Sequence, residues 1–232
     1  MRATIHKTLA GTLTMGLAVG AMGVTAPEAD GALIAYWSFN GEEPTDWVPG
    51  DGEEFSPDVG NGLLSIFGPD FGTNFRVEEG GGTELNALEG FDAGDALQFG
   101  RGERWDGNGF DLIFSTEGAS NIAISLASFR SSGGAEEFEI SYSLDGENFN
   151  LLETASINDD EYALVETSFG SLLDNQEEVI VRYTQIGDSF GAASSQGAGI
   201  RVDNVQIIPE PASLALMGVG GLLLLKRRSR QG

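Results

Sequence analysis

Side chains with oxygen donors are the main chemical resource of this sequence, and they cluster at a few glycine-rich turns. In the segment 106–111, Asp106, Asn108 and Asp111 are separated mainly by glycine. Because calcium takes oxygen ligands only, this spacing favours a calcium site that backbone carbonyls complete. Residues 158–161 form a second cluster of this kind, and neither cluster fits the EF-hand pattern. The alternative is an ordinary turn, since turns in acidic proteins use the same residues for hydrogen bonding.

Arginines on predicted strands form a second group of candidates. Arg130 and Arg201 lie on or beside strands, as does Arg182, and Asp203 follows Arg201 by two residues on the same strand face. Such a set of arginines and a carboxylate would suit an acidic sugar. The more common use is structural, because arginines hold sheet edges and loops by pairing with carboxylates.

Residues 33–208 contain no lysine, histidine or cysteine, so they lack the side chains that usually serve as nitrogen or sulfur nucleophiles, bases and zinc ligands. This excludes a Ser-His-Asp triad, a Cys-His nucleophile, a Schiff-base lysine and a zinc site built on His or Cys. A glycosidase remains as the enzymatic alternative because it needs only two carboxylates, about 5 to 10 Å apart. The sequence singles out no such pair, so we predict no catalytic residue.

The charge balance excludes a further class of partner. The 232 residues include 12 Lys and Arg against 36 Asp and Glu, a formal net charge of −24. Within residues 33–208, six arginines and 33 acidic residues give −27. A body this acidic repels phosphate backbones, so nucleic acid is excluded as a partner.

Short apolar runs separated by Gly, Asp, Asn and Pro recur throughout the body. In residues 138–144, for example, apolar and polar residues alternate, which gives one buried and one solvated face. The runs predict strands near residues 33–39, 63–67, 96–99, 110–114, 122–129, 138–144, 162–169, 179–186 and 200–208. We therefore predict an all-β fold, a single jelly-roll-like β-sandwich over residues 33–208. A change of parity in the last strand predicts a β-bulge near Asp203 and Asn204.

The N-terminal residues 1–32 have the layout of a secretory signal peptide. Basic residues come first, an apolar run covers residues 9–24, and small residues follow. We expect an N-terminal signal helix and export of the body. Cleavage near residues 29–32 is compatible with the sequence, whereas cleavage after Ala26 would place Pro27 just beyond the scissile bond.

The C-terminal residues 209–232 have three parts in a fixed order. Pro209, Glu210 and Pro211 come first, an uncharged apolar stretch follows at 212–225, and the basic residues come last: Lys226, Arg227, Arg228 and Arg230. As a helix the apolar stretch would be about 21 Å long, short of the ~30 Å hydrocarbon core. The basic flank stays on the cytoplasmic side and can snorkel, so we predict a transmembrane helix with the body outside.

This ordered set resembles the PEP-CTERM sorting signal of Gram-negative bacteria, which an exosortase-type membrane transpeptidase reads. The resemblance covers residues 209–230. It implies a transient inner-membrane intermediate that is cleaved near Pro-Glu-Pro, after which the body is released to or attached at the cell surface or its polysaccharide matrix. The alternative is a C-terminal anchor that is never processed.

Residues 129–208 resemble a jelly-roll module common in exported bacterial proteins and related in shape to galactose-binding-like sandwiches. The segments that carry the resemblance are 129–133, 142–149, 181–183 and 199–205. Residues 36–40 are similar to the first strand of laminin-G-like sandwiches, which leaves the type of sandwich open. Such a resemblance implies a fold and not a ligand.

Together these features predict an exported, non-catalytic protein of the cell surface or extracellular matrix that binds glycan or calcium. Calcium is the only cofactor that the residues suit. Extracellular polysaccharide, the sorting enzyme and, transiently, the inner membrane are the expected partners. The alternative is a carbohydrate-active enzyme with paired Asp and Glu residues.

Overall fold

The computed structural model describes residues 33–41, 46–47, 53–68, 74–101, 107–131, 134–159, 161–187 and 199–209. These residues form an all-β sandwich in which the single helical element is a 3-10 turn at Ser171–Leu173. The predicted signal helix in residues 1–32 and the predicted C-terminal helix at 212–225 lie outside the described residues. Within the described ranges, no helix is long and apolar enough to cross a membrane.

The described residues contain fourteen strands. In chain order they are β1 (Ala35–Trp37), β2 (Asp46–Trp47), β3 (Glu54–Phe55), β4 (Val59–Gly60), β5 (Leu63–Phe67), β6 (Asn74–Glu78), β7 (Ala96–Arg101), β8 (Gly109–Phe114), β9 (Ile122–Arg130), β10 (Glu137–Ser143), β11 (Asn150–Ser156), β12 (Ala163–Gly170), β13 (Val179–Ile186) and β14 (Ile200–Pro209).

The strands form two antiparallel sheets. Sheet A has the order β12-β9-β14-β7-β6-β2, and β1 joins it by pairing with both β14 and β4. Sheet B has the order β11-β10-β13-β8-β5-β3. Because successive side chains of a strand point to opposite faces, each sheet has an inner face in the core and an outer face.

Aromatic side chains from both sheets meet in the core. Phe75 and Phe99 of sheet A pack edge to face with ring centroids 5.1 Å apart, and Phe99 lies 5.7 Å from Phe110 of sheet B. Phe110 in turn stacks on Tyr183 at 4.9 Å. All four rings are fully buried. Contacts of this kind add to the large area that each ring removes from water, so this row of rings ties the two sheets together.

Strand β14 lies in the middle of sheet A and changes partner along one edge. Its residues Ile200–Val202 pair with β7, and Val205–Ile207 pair with β1. The opposite edge pairs with β9 throughout, with a register shift after Asp203. Asn204 has a φ of 50°, in the left-handed region that asparagine tolerates. The predicted bulge at Asp203 and Asn204 is therefore confirmed.

The strands expected from alternation are confirmed, with end points that differ by two residues at most. A turn at Asp145 and Gly146 follows β10, with Gly146 at a φ of +74°. Sequence reasoning missed β6, Asn74–Glu78, because it holds only two apolar residues between polar ones. It also missed the two-residue strands β2, β3 and β4, which are too short for a period to be visible.

Replacing Gly60 should test the contact between β1 and β4. Gly60 has a φ of +87°, and a Cβ there would lie 2.0 Å from the carbonyl oxygen of Ile34. Gly41 has a similar φ of +81° with nothing within 4 Å of its Cβ position, so Gly41→Ala measures backbone strain alone, about 1 to 2 kcal/mol. We expect Gly60→Ala to lower the free energy of unfolding at least twice as much in urea denaturation. Equal losses would contradict a tight contact.

Candidate functional site

An arginine–carboxylate pair lies on the outer face of sheet B. Arg182 of β13 is the cross-strand neighbour of Asp111 of β8. Its Nε and Nη2 atoms donate to the two carboxylate oxygens of Asp111 at 2.8 and 2.7 Å. Such a two-point, charge-assisted contact fixes the plane of the guanidinium. It also pairs the positive charge of Arg182 with one negative charge at the same place.

Two phenylalanine rings lie against the guanidinium of Arg182. The Cζ atom is 4.5 Å from the ring centroid of Phe67 and 3.9 Å from that of Phe149. Both distances are within the range of cation–π attraction. Both rings are half-buried, so part of each remains at the surface. We refer to Arg182, Asp111, Phe67 and Phe149 together as the Arg182 cluster.

A glycine on β8 makes room for one of these rings. Gly109 is the cross-strand neighbour of Phe67. A Cβ at this position would lie 2.8 Å from the Phe67 ring and 1.9 Å from the carbonyl oxygen of Tyr183. Only glycine fits at residue 109, and its missing side chain lets the Phe67 ring lie over β8.

The second ring is held by a turn that Asp145 organises. One carboxylate oxygen of Asp145 accepts hydrogen bonds from the backbone N–H groups of Glu147 and Asn148, at 3.0 and 2.8 Å. The other accepts one from the Asn148 side chain at 2.8 Å. The bond from the Asn148 backbone is the largest of the causes that lower the pKa of Asp145, so this residue stays ionised. The turn leads directly into Phe149 and sets its position.

Polar and apolar neighbours surround the Arg182 cluster on the same face. Three rows of cross-strand neighbours cross sheet B here, namely Leu63–Ile113–Ile180–Ser143, Ser65–Asp111–Arg182–Ser141 and Phe67–Gly109–Thr184–Glu139. The first row is mainly apolar, and the other two carry hydroxyl and carboxylate groups. Apolar and aromatic area beside a few fixed polar groups is the usual composition of a site for a small polar ligand.

Each of the two arginines predicted as part of a joint binding site is paired with a different carboxylate. Arg130 bonds to Asp159 at 3.3 Å, and Arg201 bonds to Glu78 on β6. Asp203 contacts neither arginine through a hydrogen bond in the described part of the chain; it accepts backbone N–H bonds instead. Arg130 and Arg201 thus pair with nearby carboxylates, which is the structural use given above as the alternative to a binding site.

The residues predicted to bind calcium are divided between different environments. Asp106 lies outside the described residues, and Asn108 is fully buried. Both carboxylate oxygens of Asp111 are engaged by Arg182. The residues that the structure describes include no group of three or more His, Cys, Asp or Glu side chains suited to a metal ion. Calcium binding therefore stays a prediction.

Asp203 instead holds the long loop 79–95 against the outer face of sheet A. The side chain is 1% exposed, and one of its oxygens accepts a hydrogen bond from the backbone N–H of Thr83 at 2.7 Å. The neighbouring Asn204 donates its amide to the carbonyl oxygens of Thr83 and Leu85 at 2.6 and 3.0 Å. The side chains of Asp203 and Asn204 thus bind the backbone of loop 79–95 in the way that a neighbouring strand otherwise would.

Burial of this carboxylate changes its titration. Desolvation raises the pKa of Asp203 to about 7, and the negative charge of Asp95 adds to the rise. The N–H bonds from Thr83 and from the Asn204 backbone act in the opposite direction without compensating. Asp203 therefore titrates near neutral pH, inside a covered part of the sandwich.

One family description matches the chain, and it covers the C-terminal segment alone. Residues 208–231 match the PEP-CTERM protein-sorting motif. The predicted resemblance at residues 209–230 is confirmed, and the motif indicates an exported protein that is sorted to the cell surface. Of the sorting residues, Pro209 ends β14 opposite Ile122. The others lie outside the described residues, namely Glu210, Pro211, Lys226, Arg227, Arg228 and Arg230.

Solved structures resemble the body weakly. The CBM22-1 xylan-binding domain of Xyn10C from Paenibacillus barcinonensis is 14% identical with a TM-score of 0.44, over 77% of this chain and 95% of that domain. The K1 cleaved adhesin domain of Lys-gingipain from Porphyromonas gingivalis W83 is 12% identical with a TM-score of 0.41, over 71% and 97%. Likenesses at this level carry no information about the ligand. No curated protein matches the chain.

Asp203 should make stability depend on pH in a defined window. Because native Asp203 keeps its proton to a higher pH than in the unfolded chain, the native state binds more protons between about pH 4 and pH 7. The free energy of unfolding therefore falls as pH rises through that window. Between pH 5 and pH 7.5, we expect the wild type to lose about 2 to 3 kcal/mol more than Asp203→Asn in urea denaturation.

The matched control for this experiment is Glu117→Gln, which removes one negative charge from an exposed turn. It should keep the wild-type dependence on pH. If Asp203→Asn and Glu117→Gln gave the same profile, the buried carboxylate would not be the group responsible.

Proposed function

We propose that this protein is an exported, non-catalytic component of the cell surface or extracellular matrix that binds a neutral polysaccharide through the outer face of sheet B. The observation that carries the export and sorting part is the motif at residues 208–231. An exosortase-type transpeptidase would read this motif while the apolar stretch 212–225 holds the chain in the inner membrane.

The Arg182 cluster supports a carbohydrate ligand on chemical grounds. Sugars present apolar C–H faces and a rim of hydroxyl groups, so they bind where aromatic surface lies beside fixed polar groups. Phe67 and Phe149 supply the aromatic surface, and the paired Arg182 and Asp111 supply oriented donors and acceptors. The turn at Asp145 and the glycine at 109 hold both rings in place before any ligand binds, which lowers the entropy cost of binding.

The charges favour a neutral glycan over an acidic one. Arg182 is already paired with Asp111, so the cluster offers no unpaired positive charge to a carboxylate or sulfate. Glu139 lies on the same face, two residues from Ser141 on β10, and its negative charge also disfavours an acidic glycan. The body as a whole carries a formal charge of −27 and repels polyanions.

A glycoside hydrolase is supported less well. Two carboxylates facing each other are required, one of them with a raised pKa. Among the described residues, Asp203 is the only buried carboxylate, and loop 79–95 covers it. No second carboxylate of the described chain pairs with it in an open cleft, so the observations favour a binding role.

Sorting should depend on the motif. In cells that contain the sorting enzyme, the double variant Glu210→Ala, Pro211→Ala should accumulate as a membrane-bound precursor that keeps its C-terminal residues. Gly232→Ala, just outside the matched residues, should be processed like the wild type. Mass spectrometry of the membrane and extracellular fractions distinguishes precursor from product, and normal processing of the double variant would refute sorting through this motif.

Glycan binding should depend on the Arg182 cluster. We expect Phe149→Ala and Phe67→Ala each to weaken binding to a neutral polysaccharide such as xylan or hydroxyethyl cellulose at least tenfold in affinity gel electrophoresis. The matched control is Phe129→Ala, which removes a ring 5.0 Å from the guanidinium of Arg201 on sheet A. Polygalacturonate serves as the acidic comparison. Equal losses for the Phe149 and Phe129 variants would place the binding surface elsewhere.

A further inference from the structure

The sorting motif and the folded sandwich overlap. The match begins at residue 208, while β14 continues to Pro209. Ile208 and Pro209 are the cross-strand neighbours of Ala123 and Ile122 on β9. The first two residues of the motif are therefore the last two residues of a strand in the middle of sheet A.

Both edges of this strand are occupied as far as the motif. Ile207 pairs with Ile124 of β9 on one side and with Ala35 of β1 on the other. Its carbonyl oxygen also accepts a hydrogen bond from the backbone N–H of Ile34 at 2.8 Å. An enzyme that binds its substrate as an extended strand needs a free edge of backbone groups. Upstream of Ile208, β14 offers none.

The distance to the predicted membrane segment is equally short. Two residues, Glu210 and Pro211, separate Pro209 from Ala212, where the apolar stretch begins. Fully extended, the three Cα–Cα steps from Pro209 to Ala212 span about 10 Å. The polar head-group layer on one side of a bilayer is itself about 5 to 8 Å thick. A folded sandwich thus leaves a membrane enzyme almost no free chain on the N-terminal side of the motif.

We infer that the sandwich restrains its own sorting: the pairs of Ile208 and Pro209 with β9 must open before the enzyme can engage the motif, and this opening limits the rate of processing. The inference rests on the proposed sorting function. Opening the last pairs of a strand is a local event and leaves the core formed. A chain with an open end of β14 is then the form that the enzyme accepts.

A disulfide across the last pairs tests this inference in the full-length chain, in cells that contain the sorting enzyme. The sequence has no cysteine, so Ala123→Cys with Ile208→Cys forms one defined bond across neighbouring strands. Pulse-chase labelling should show processing at least tenfold slower than for Ile208→Cys alone, and a membrane-permeable thiol reductant should restore the rate. Equal rates with the disulfide formed would overturn the inference.

An insertion provides the opposite test and does not require the disulfide to form. Gly-Ser-Gly-Ser between Ile207 and Ile208 moves the intact motif away from the ladder and should speed processing at least threefold. The same insertion after Glu177, in an exposed bend before β13 of sheet B, should leave the rate unchanged. An unchanged rate for the first insertion would overturn the inference. Normal processing of Glu210→Ala, Pro211→Ala would instead refute the proposed sorting function.

Discussion

Strand β14 bonds to three other strands, and the bulge at Asp203 and Asn204 makes this possible. Without the extra residue, β14 would continue along β7 and leave no edge for β1. The bulge also turns two polar side chains toward loop 79–95, where they bind its backbone. Tyr36 of β1 donates its hydroxyl to Asn204 and closes the same network. The pairing of β14 with β1 and the placement of loop 79–95 therefore both depend on this bulge.

Every arginine side chain that the structure describes is paired with a carboxylate. Arg76 and Arg201 share Glu78, Arg130 bonds to Asp159, and Arg182 bonds to Asp111, as the ion pairs show. Partly exposed pairs of this kind contribute little to stability. Their larger effect is on surface charge, since each pair cancels one of the few positive charges of an acidic body.

Much of the fold could be predicted from the sequence because alternation is a local property. The strand at 137–143 and the change of parity at Asp203 are both visible within ten residues. The Arg182 cluster could not be predicted, because Arg182 and Asp111 are 71 residues apart and meet only through the register of β8 and β13. The burial of Asp203 could not be predicted either, because it depends on loop 79–95, which is more than a hundred residues away in the chain.

The place of β14 has a consequence for the order of folding. This strand is the last of the sandwich to be made, yet β9, β7 and β1 all require it. Contacts between residues so distant in the chain form slowly, after a large loss of chain entropy. Sheet A therefore cannot be completed until residues 200–209 have been synthesised, so the sandwich reaches its final form only late in the making of the chain.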